Sequence, residues 1–339
     1  MNRDHVVISP ARNEIEFARR TLDAVTRQTL PPTLWVIVDD GSTDGTSELL
    51  AEYAARFPYI RVHRRADRGV RSVGPGVIEA FYSGLDTVED LGRFAYVSKL
   101  DLDLDLPPGY FETLVERMEA EPRLGTCSGK PYFPGPSNTR KDWQGELISE
   151  DCGDEMSVGM TKFYRVSCFQ QIGGFVQQVM WDGIDCHRCR MLGWLACSWD
   201  DPALRFIHLR PMGSSQHGII TGRKRHGFGQ YFMGTSLLYM TASAAFRMTR
   251  PPYVVGGAAM LWGYLQSMKQ HSARFDDAQF RTFLRGYERQ CLLLGKKRAT
   301  QLLNERQRSR WNPPSAQPGS PGTQPGSPGA QPKNASSTR

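Results

Sequence analysis

The chain carries the run Lys99-Leu100-Asp101-Leu102-Asp103-Leu104-Asp105-Leu106-Pro107-Pro108 directly after the apolar Phe94-Ala95-Tyr96-Val97. In an extended chain the side-chain period is two, so Asp101, Asp103 and Asp105 share one side and Leu100, Leu102 and Leu104 the other. Carboxylates that close repel one another unless a hard cation lies among them. Mg²⁺ or Mn²⁺, held by one or two carboxylates and the phosphates of a substrate, is the common solution. The plain structural alternative is a solvated edge strand protected by its charges.

A second acidic element lies upstream. Leu34-Trp35-Val36-Ile37-Val38 reads as a strand buried on both faces, and it ends in Asp39-Asp40-Gly41-Ser42-Thr43-Asp44-Gly45-Thr46. Ser42, Thr43 or Asp44 can cap the helix through Leu49-Leu50-Ala51-Glu52-Tyr53, while Gly41 and Gly45 permit the turn. Ligands collect at the carboxyl ends of strands in open α/β sheets, and here two separate strands each end in carboxylates.

With Val6-Val7-Ile8-Ser9-Pro10-Ala11-Arg12-Asn13-Glu14 as first strand and loop, these pieces resemble the family 2 glycosyltransferases of GT-A fold. Ile172-Gly173-Gly174-Phe175 and Trp181-Asp182-Gly183-Ile184-Asp185 resemble the acceptor-side segment of that family, and the resemblance covers about residues 3 to 235. It implies an α/β fold with a Rossmann-like, mostly parallel sheet flanked by helices, and an inverting transfer of sugar from a nucleoside diphosphate donor. Asp40 matches the acid that hydrogen-bonds the base, with Pro10, Arg12 and Glu14 on the loop lining the nucleoside pocket. Asp101 and Asp103 match the acids that hold sugar and divalent metal. Asp105 is a supporting acid of that site or the cap of a helix following Pro107-Pro108.

Inversion needs a carboxylate on the acceptor side to take the hydroxyl proton. Asp182 and Asp185 both sit near the start of a helical stretch read as beginning at Asp185, where the dipole favours the ionised form. The family's Glu-Asp pair is replaced here by Asp182-Gly183, which leaves the choice of base open; Asp182 is favoured over Asp185 because Asp185 serves equally as a capping acid. Arg223 and Arg225, in Gly222-Arg223-Lys224-Arg225-His226-Gly227, are candidates for the diphosphate, with a basic surface loop as the alternative. His208, at the end of Ala203-Leu204-Arg205-Phe206-Ile207, is a candidate third metal ligand or a structural histidine. Arg68-Gly69-Val70-Arg71, with Gly74 and Gly76, is a candidate phosphate cradle or a flexible loop.

The seven cysteines are scattered, and Cys186-His187-Arg188-Cys189 lacks a second ligand pair, which argues against a disulfide or zinc protein and for a reducing cytoplasm. The start Met1-Asn2-Arg3-Asp4 is read as lacking a signal peptide. No run reaches the roughly 20 apolar residues of a bilayer span. Tyr231–Phe246 reads as one packed helix and Val254–Leu265 as a similar, shorter one, with a place in a membrane interface, aromatics at headgroup level, as the alternative for both. The basic segment from Arg281 to Arg310 suggests peripheral contact with anionic lipid at the inner face of the plasma membrane, against a solvated helical face. No nucleic-acid reader motif accompanies the formal net charge of +7.

The expected organisation is a catalytic domain over residues 1–235 and a helical basic extension over 236–311. The nucleotide half of the catalytic domain runs to about 105 and the acceptor half from there. A disordered Pro/Gly/Ser/Gln-rich tail over 312–339 follows, marked by a seven-residue repeat. The acceptor is read as a glycan or a lipid-linked sugar. A sugar-phosphate nucleotidyltransferase is the competing enzyme class, although Ser9-Pro10-Ala11-Arg12-Asn13-Glu14 lacks its glycines. A non-catalytic sugar-nucleotide-binding scaffold is the other alternative.

Overall fold

The computed structural model describes residues 1–69, 74–134, 147–150, 152–210 and 218–313. The chain opens with β1 (His5–Ala11), α1 (Ile15–Thr26), β2 (Leu34–Asp39), α2 (Thr46–Arg56), β3 (Ile60–Arg64), α3 (Pro75–Leu85) and β4 (Tyr96–Leu100). There follow β5 (Leu104–Asp105), α4 (Tyr110–Ala120), β6 (Leu124–Ser128), β7 (Pro131–Pro134), β8 (Leu147–Ser149), β9 (Thr161–Arg165), α5 (Val166–Gln171), α6 (Trp181–Met191), β10 (Leu195–Ser198) and β11 (Phe206–His208). Helices α7 (Gly218–Met233), α8 (Leu237–Met248), α9 (Val255–Lys269), α10 (Ala278–Leu294) and α11 (Lys296–Arg306) complete the described chain.

The main sheet has the order β10-β6-β9-β4-β1-β2-β3. Its pairings are parallel except those of β9, which runs antiparallel between β4 and β6. All six residues of β2 are buried, as its unbroken apolar run requires of a strand covered on both faces. Side-chain alternation then divides the strands between two cores. Val7, Trp35 and Ile37 pack with Leu22, Leu49 and Leu114 of α1, α2 and α4. Val6, Ile8, Val36 and Val38 face the other way, onto Ile78, Phe81, Phe169 and Cys186 of α3, α5 and α6.

Register sets where the chemistry falls. Ala11 lies opposite Asp39, and Ile8 opposite Lys99, so β1, β2 and β4 end at one edge of the sheet. A second sheet, β5-β11-β7-β8, stands beside that edge. The acidic run therefore does not continue as one extended strand: β4 stops at Leu100, the chain bends at Leu102–Asp103, and Leu104–Asp105 joins the second sheet. The alternation survives the bend, because Leu100, Leu102, Leu104 and Leu106 are all buried.

The C-terminal region is helical, and α10 and α11 pack back onto the sheet domain. Arg123 donates to the Asn304 carbonyl (2.9 Å), Lys296 pairs with Glu155, and Trp311 lies edge-on to Trp194. Tyr231–Phe246 is not one helix: α7 ends at Met233, Gly234 takes φ 96°, and Ser236 caps α8 by accepting from the Tyr239 amide (3.3 Å). All seven cysteines are free. Among the described residues no helix is long and apolar enough to cross a membrane. The Pro/Gly-rich tail from residue 314, and Val70–Arg71 of the candidate cradle, lie outside the described residues.

Candidate active site

The loops after β1 and β2 are stitched together. The Asn13 amide donates to Ser42 Oγ (3.0 Å), Thr43 N–H to Asn13 Oδ1 (2.8 Å), Glu14 N–H to Thr46 Oγ1 (2.9 Å) and Ile15 N–H to Asp44 Oδ2 (3.1 Å). Asn13 adopts φ 54°, a left-handed conformation that asparagine tolerates better than most residues. The residue at the N-cap of α2 is Gly45, at φ 94°, and the Thr46 amide is held by Asp44 Oδ1 (3.1 Å), one of the three capping candidates.

The two acids at the end of β2 have different tasks. Asp39 is fully buried and builds the turn, accepting from the Ser42 amide (2.9 Å) and from Ser47 Oγ (2.5 Å). Asp40 carries a pair of guanidinium partners: Arg65 Nη1 donates to Oδ1 (2.9 Å) and Arg68 Nη2 to Oδ2. Both arginines also hold Glu79. Arg12 donates to the Asp40 carbonyl and pairs with Asp67 (2.6 Å), so its loop is tied to the same place. Pro10 lies opposite Val38 and contributes no N–H.

Asp101 leaves the end of β4 partly exposed, with Lys99 Nζ on its Oδ1 (2.5 Å). The depth of the cleft and the charge of Asp103 push its carboxyl up, against the pull of Lys99. Asp103 is buried at 4 % exposure, where its charge needs partners. Those come from the second sheet. His208 lies opposite Leu104 in the β5–β11 pairing, and the Leu209 amide donates to the Asp103 carbonyl (2.9 Å). The His208 ring consequently sits between Asp103 (Nε2 to Oδ2, 3.5 Å) and Glu150 (Nδ1 to both oxygens, 3.2 Å). Arg210 donates through Nε to Asp103 Oδ2 (2.6 Å) and through Nη2 to both oxygens of Glu14 (2.7 Å).

Burial alone would raise the Asp103 carboxyl, but His208 and Arg210 outweigh it and hold it near 2. Burial likewise lowers His208, yet Asp103 and Glu150 bring it up to about 9. Asp105 stands apart from this network. It pairs with Arg20 (2.7 Å) and caps nothing, since α4 starts after Gly109.

The donor set of oxygens and one imidazole has the hardness that Mg²⁺ or Mn²⁺ prefers. Among the described residues no three acids, histidines or cysteines already converge as a metal site, because Lys99 and Arg210 hold the nearest oxygens. One atom nevertheless points to a missing partner: Asp103 Oδ1 is buried and accepts no hydrogen bond from any described residue. The residues fit such an ion, with His208 neutral when it binds.

On the opposite wall, Met180 at φ 68° starts α6 at Trp181, four residues earlier than the sequence suggested. Asp182 lies in the first turn of α6, and its carboxylate takes no hydrogen bond from a described residue. It abuts Gly159, where an added Cβ would meet Asp182 Oδ2 at 2.8 Å. The Gly159 carbonyl accepts from Lys99 Nζ (3.1 Å), which links this wall to Asp101. The Trp181 ring lies between Lys99 and Lys162, 5.3 and 5.6 Å from their ammonium groups.

Asp185 occupies a different environment and neither caps the helix nor faces the cleft. It is 1 % exposed and takes Lys162 Nζ on both oxygens (2.7 and 2.6 Å), with Tyr164 OH as a further donor. Lys162 also donates to the Asp182 carbonyl (2.8 Å), so this buried pair pins the turn that presents Asp182. Arg223 and Arg225 belong to a helix, α7, and not to a loop. That helix runs beside the Asp182 segment: Gly229 packs on Val179 and Met180, and His226 feels the Asp182 charge.

Sequence reasoning missed Glu150 and Arg210. Arg210 sits two residues beyond His208, a signal available only once β11 is placed beside β5. Glu150 follows a three-residue strand and has no local signature.

The mostly parallel sheet, with acids at the ends of β2 and β4 and a second small sheet closing the site, is the nucleotide-binding arrangement of the GT-A fold. A family model described as "Glycosyl transferase family 2" matches residues 6–177, just over half of the chain, and the chain belongs to that family. It is similar to the poly-beta-1,6-N-acetyl-D-glucosamine synthase of Staphylococcus epidermidis, at 27% identity over 37% of this chain and 28% of that one. It is also similar to the uncharacterized glycosyltransferase EpsJ of Bacillus subtilis (strain 168), at 29% identity over 40% of this chain and 35% of that one. The match thus spans about a third or less of either relative's length. Among solved structures, GalNAc-T7 with UDP, GalNAc and Mn²⁺ shares the fold, with a TM-score of 0.52 at 15% identity over 84% of this chain and 56% of that one.

Proposed function

We propose that the protein is a metal-dependent, inverting glycosyltransferase that moves a sugar from a nucleoside diphosphate donor to a hydroxyl of a glycan or lipid-linked acceptor. The observation that carries this reading is the short path of contacts from Asp182 to the acids at the end of β4. Asp182, whose carboxylate takes no hydrogen bond from a described residue, stands across Gly159 and Lys99 from the acidic cluster of Asp101 and Asp103. Asp40, set by Arg65 and Arg68 and bordered by Pro10, Arg12 and Glu14, binds the base. Asp101, Asp103 and neutral His208 would hold Mg²⁺ or Mn²⁺, which when bound stabilises the negative charge of the leaving diphosphate. Arg223 and Arg225 supply further cations for that charge: partial burial disfavours their own charge, and Arg247 adds to this at Arg223, so an anion beside them is stabilising.

Asp182 takes the acceptor's proton at a carboxylate oxygen as the hydroxyl attacks. Asp185 cannot share that task, because Lys162 and Tyr164 saturate it in the interior. The test is incubation with Mn²⁺ and a panel of sugar nucleotides, read as release of nucleoside diphosphate. Slow donor hydrolysis with one sugar nucleotide supports the reading. Formation of pyrophosphate from a nucleoside triphosphate and a sugar phosphate would establish a nucleotidyltransferase instead. Donor binding with no turnover under any acceptor mixture would leave a scaffold.

A further inference from the structure

Helices α8 and α9 form an antiparallel pair whose outer side is unusually apolar. Tyr264 OH near the end of α9 donates to the Thr235 carbonyl before α8 (2.7 Å), while Gly257 at the start of α9 lies on the Ala244 carbonyl of α8. Glycines also seat α9 on α7: a Cβ on Gly227 would meet the Met260 carbonyl at 1.9 Å, and one on Gly263 the Lys224 carbonyl at 2.1 Å. Because small residues make these contacts, the large apolar side chains are left on the outside. Leu238, Phe246 and Trp262 are 68, 61 and 60 % exposed, and Val254, Val255 and Leu265 are exposed with them.

Charge identifies what covers this face. From Gly218 to Phe275, over α7, α8 and α9, the chain has seven Lys or Arg and no Asp or Glu, so the segment that carries the apolar side chains is cationic throughout. Arg247 and Arg250 stand at the α8 end of the patch, with Arg250 over the Phe246 ring (4.8 Å). Two copies pressed face to face would bring these cations together. An anionic surface with an apolar interior satisfies both features.

We propose that the outer face of α8 and α9 docks the protein on the surface of an anionic lipid bilayer, with Leu238, Phe246 and Trp262 inserted at headgroup depth. The sequence pointed both to the apolar stretches Tyr231–Phe246 and Val254–Leu265 as interfacial candidates and to the basic segment from Arg281 to Arg310; the coincidence of exposed apolar side chains with an acid-free segment lies on α8 and α9. Helix α7, which contacts α9 on one side and the Asp182 segment on the other, then places the acceptor wall next to the membrane. The docking itself does not depend on the glycosyltransferase reading.

The test is co-sedimentation of the full chain with vesicles, without donor or acceptor. Vesicles with about 30 mol% phosphatidylglycerol should bind it, pure phosphatidylcholine vesicles should bind at least about tenfold less, and raised salt should weaken the binding. Leu238→Ser with Phe246→Ser and Trp262→Ser should lower the partition coefficient at least about tenfold at unchanged far-ultraviolet circular dichroism. Arg247→Gln with Arg250→Gln, both half-buried at the end of α8, should remove much of the preference for anionic lipid, which keeps the test decisive if the triple variant misfolds. Absence of binding to anionic vesicles, or undiminished binding by these variants, would overturn the proposal. So would a dimer in sedimentation velocity that the triple variant dissolves while vesicle binding is absent.

Discussion

Asp185→Asn should unfold the protein more easily without touching the chemistry directly. The substitution leaves the Lys162 ammonium buried at 0 % side-chain exposure with no anionic partner on it, where before it met both carboxylate oxygens at 2.7 and 2.6 Å. Removing one partner of a buried ion pair costs about 3–5 kcal/mol, far above the roughly 1 kcal/mol of a lost helix cap. Part is recovered because the amide oxygen still accepts one hydrogen bond, so a loss of about 2–4 kcal/mol is expected. Urea unfolding followed by circular dichroism measures it. Replacing both partners with apolar residues, Lys162→Met with Asp185→Leu, should restore at least half of that stability. Asp185→Asn with unaltered stability and no activity would refute the argument and return Asp185 to the chemistry.

Asp103→Asn should lower turnover at least about 10²-fold, since it weakens the metal site and releases Arg210 and His208, and full activity or indifference to excess EDTA would exclude metal dependence. Asp40→Ala should weaken the free nucleoside diphosphate as well as the donor in calorimetry, while Arg65 and Arg68 keep their bonds to Glu79 and the fold persists. Acid should destabilise the protein well above the carboxylate range. Burial pushes His5 and His226 down to about 4 and His187 well below its ordinary value, so the unfolded chain binds protons that the folded one refuses. Stability from these groups is complete above about 6.5 and is lost as pH falls towards 4, about 1.4 kcal/mol for each histidine between pH 7.5 and 5.5, while His208, held at about 9, gains a similar amount over the same window and offsets one of the three. Urea midpoints at the two pH values measure it, His5→Leu should reduce the slope, and a flat profile would contradict the burial argument.

The parts of this fold legible in the sequence are those set by local pattern. Leu34–Val38 announced a strand buried on both faces, and the acids closing β2 and β4 marked the ends of two strands that the register brings to one edge of the sheet. The division of labour between Asp39 and Asp40 was not legible, since it depends on which side chain turns under Ser42 and Ser47 and which meets Arg65 and Arg68. Nor was the burial of Asp185, because α6 begins at Trp181 and its partner Lys162 comes from β9. Glu150 and Arg210 meet His208 and Asp103 only through the second sheet, a pairing across about a hundred residues of chain. The glycine contacts that seat α9 on α7 and α8 were not legible, since they depend on which backbones come together.

The most direct measurement is donor turnover and donor affinity on the same Asp182→Asn sample, with the sugar nucleotide that the wild type hydrolyses or transfers. If Asp182 takes the acceptor's proton, turnover should fall at least about 10²-fold while the dissociation constant for the donor stays within about twofold. Near-normal turnover by Asp182→Asn would remove this carboxylate from the reaction and contradict this account of the site.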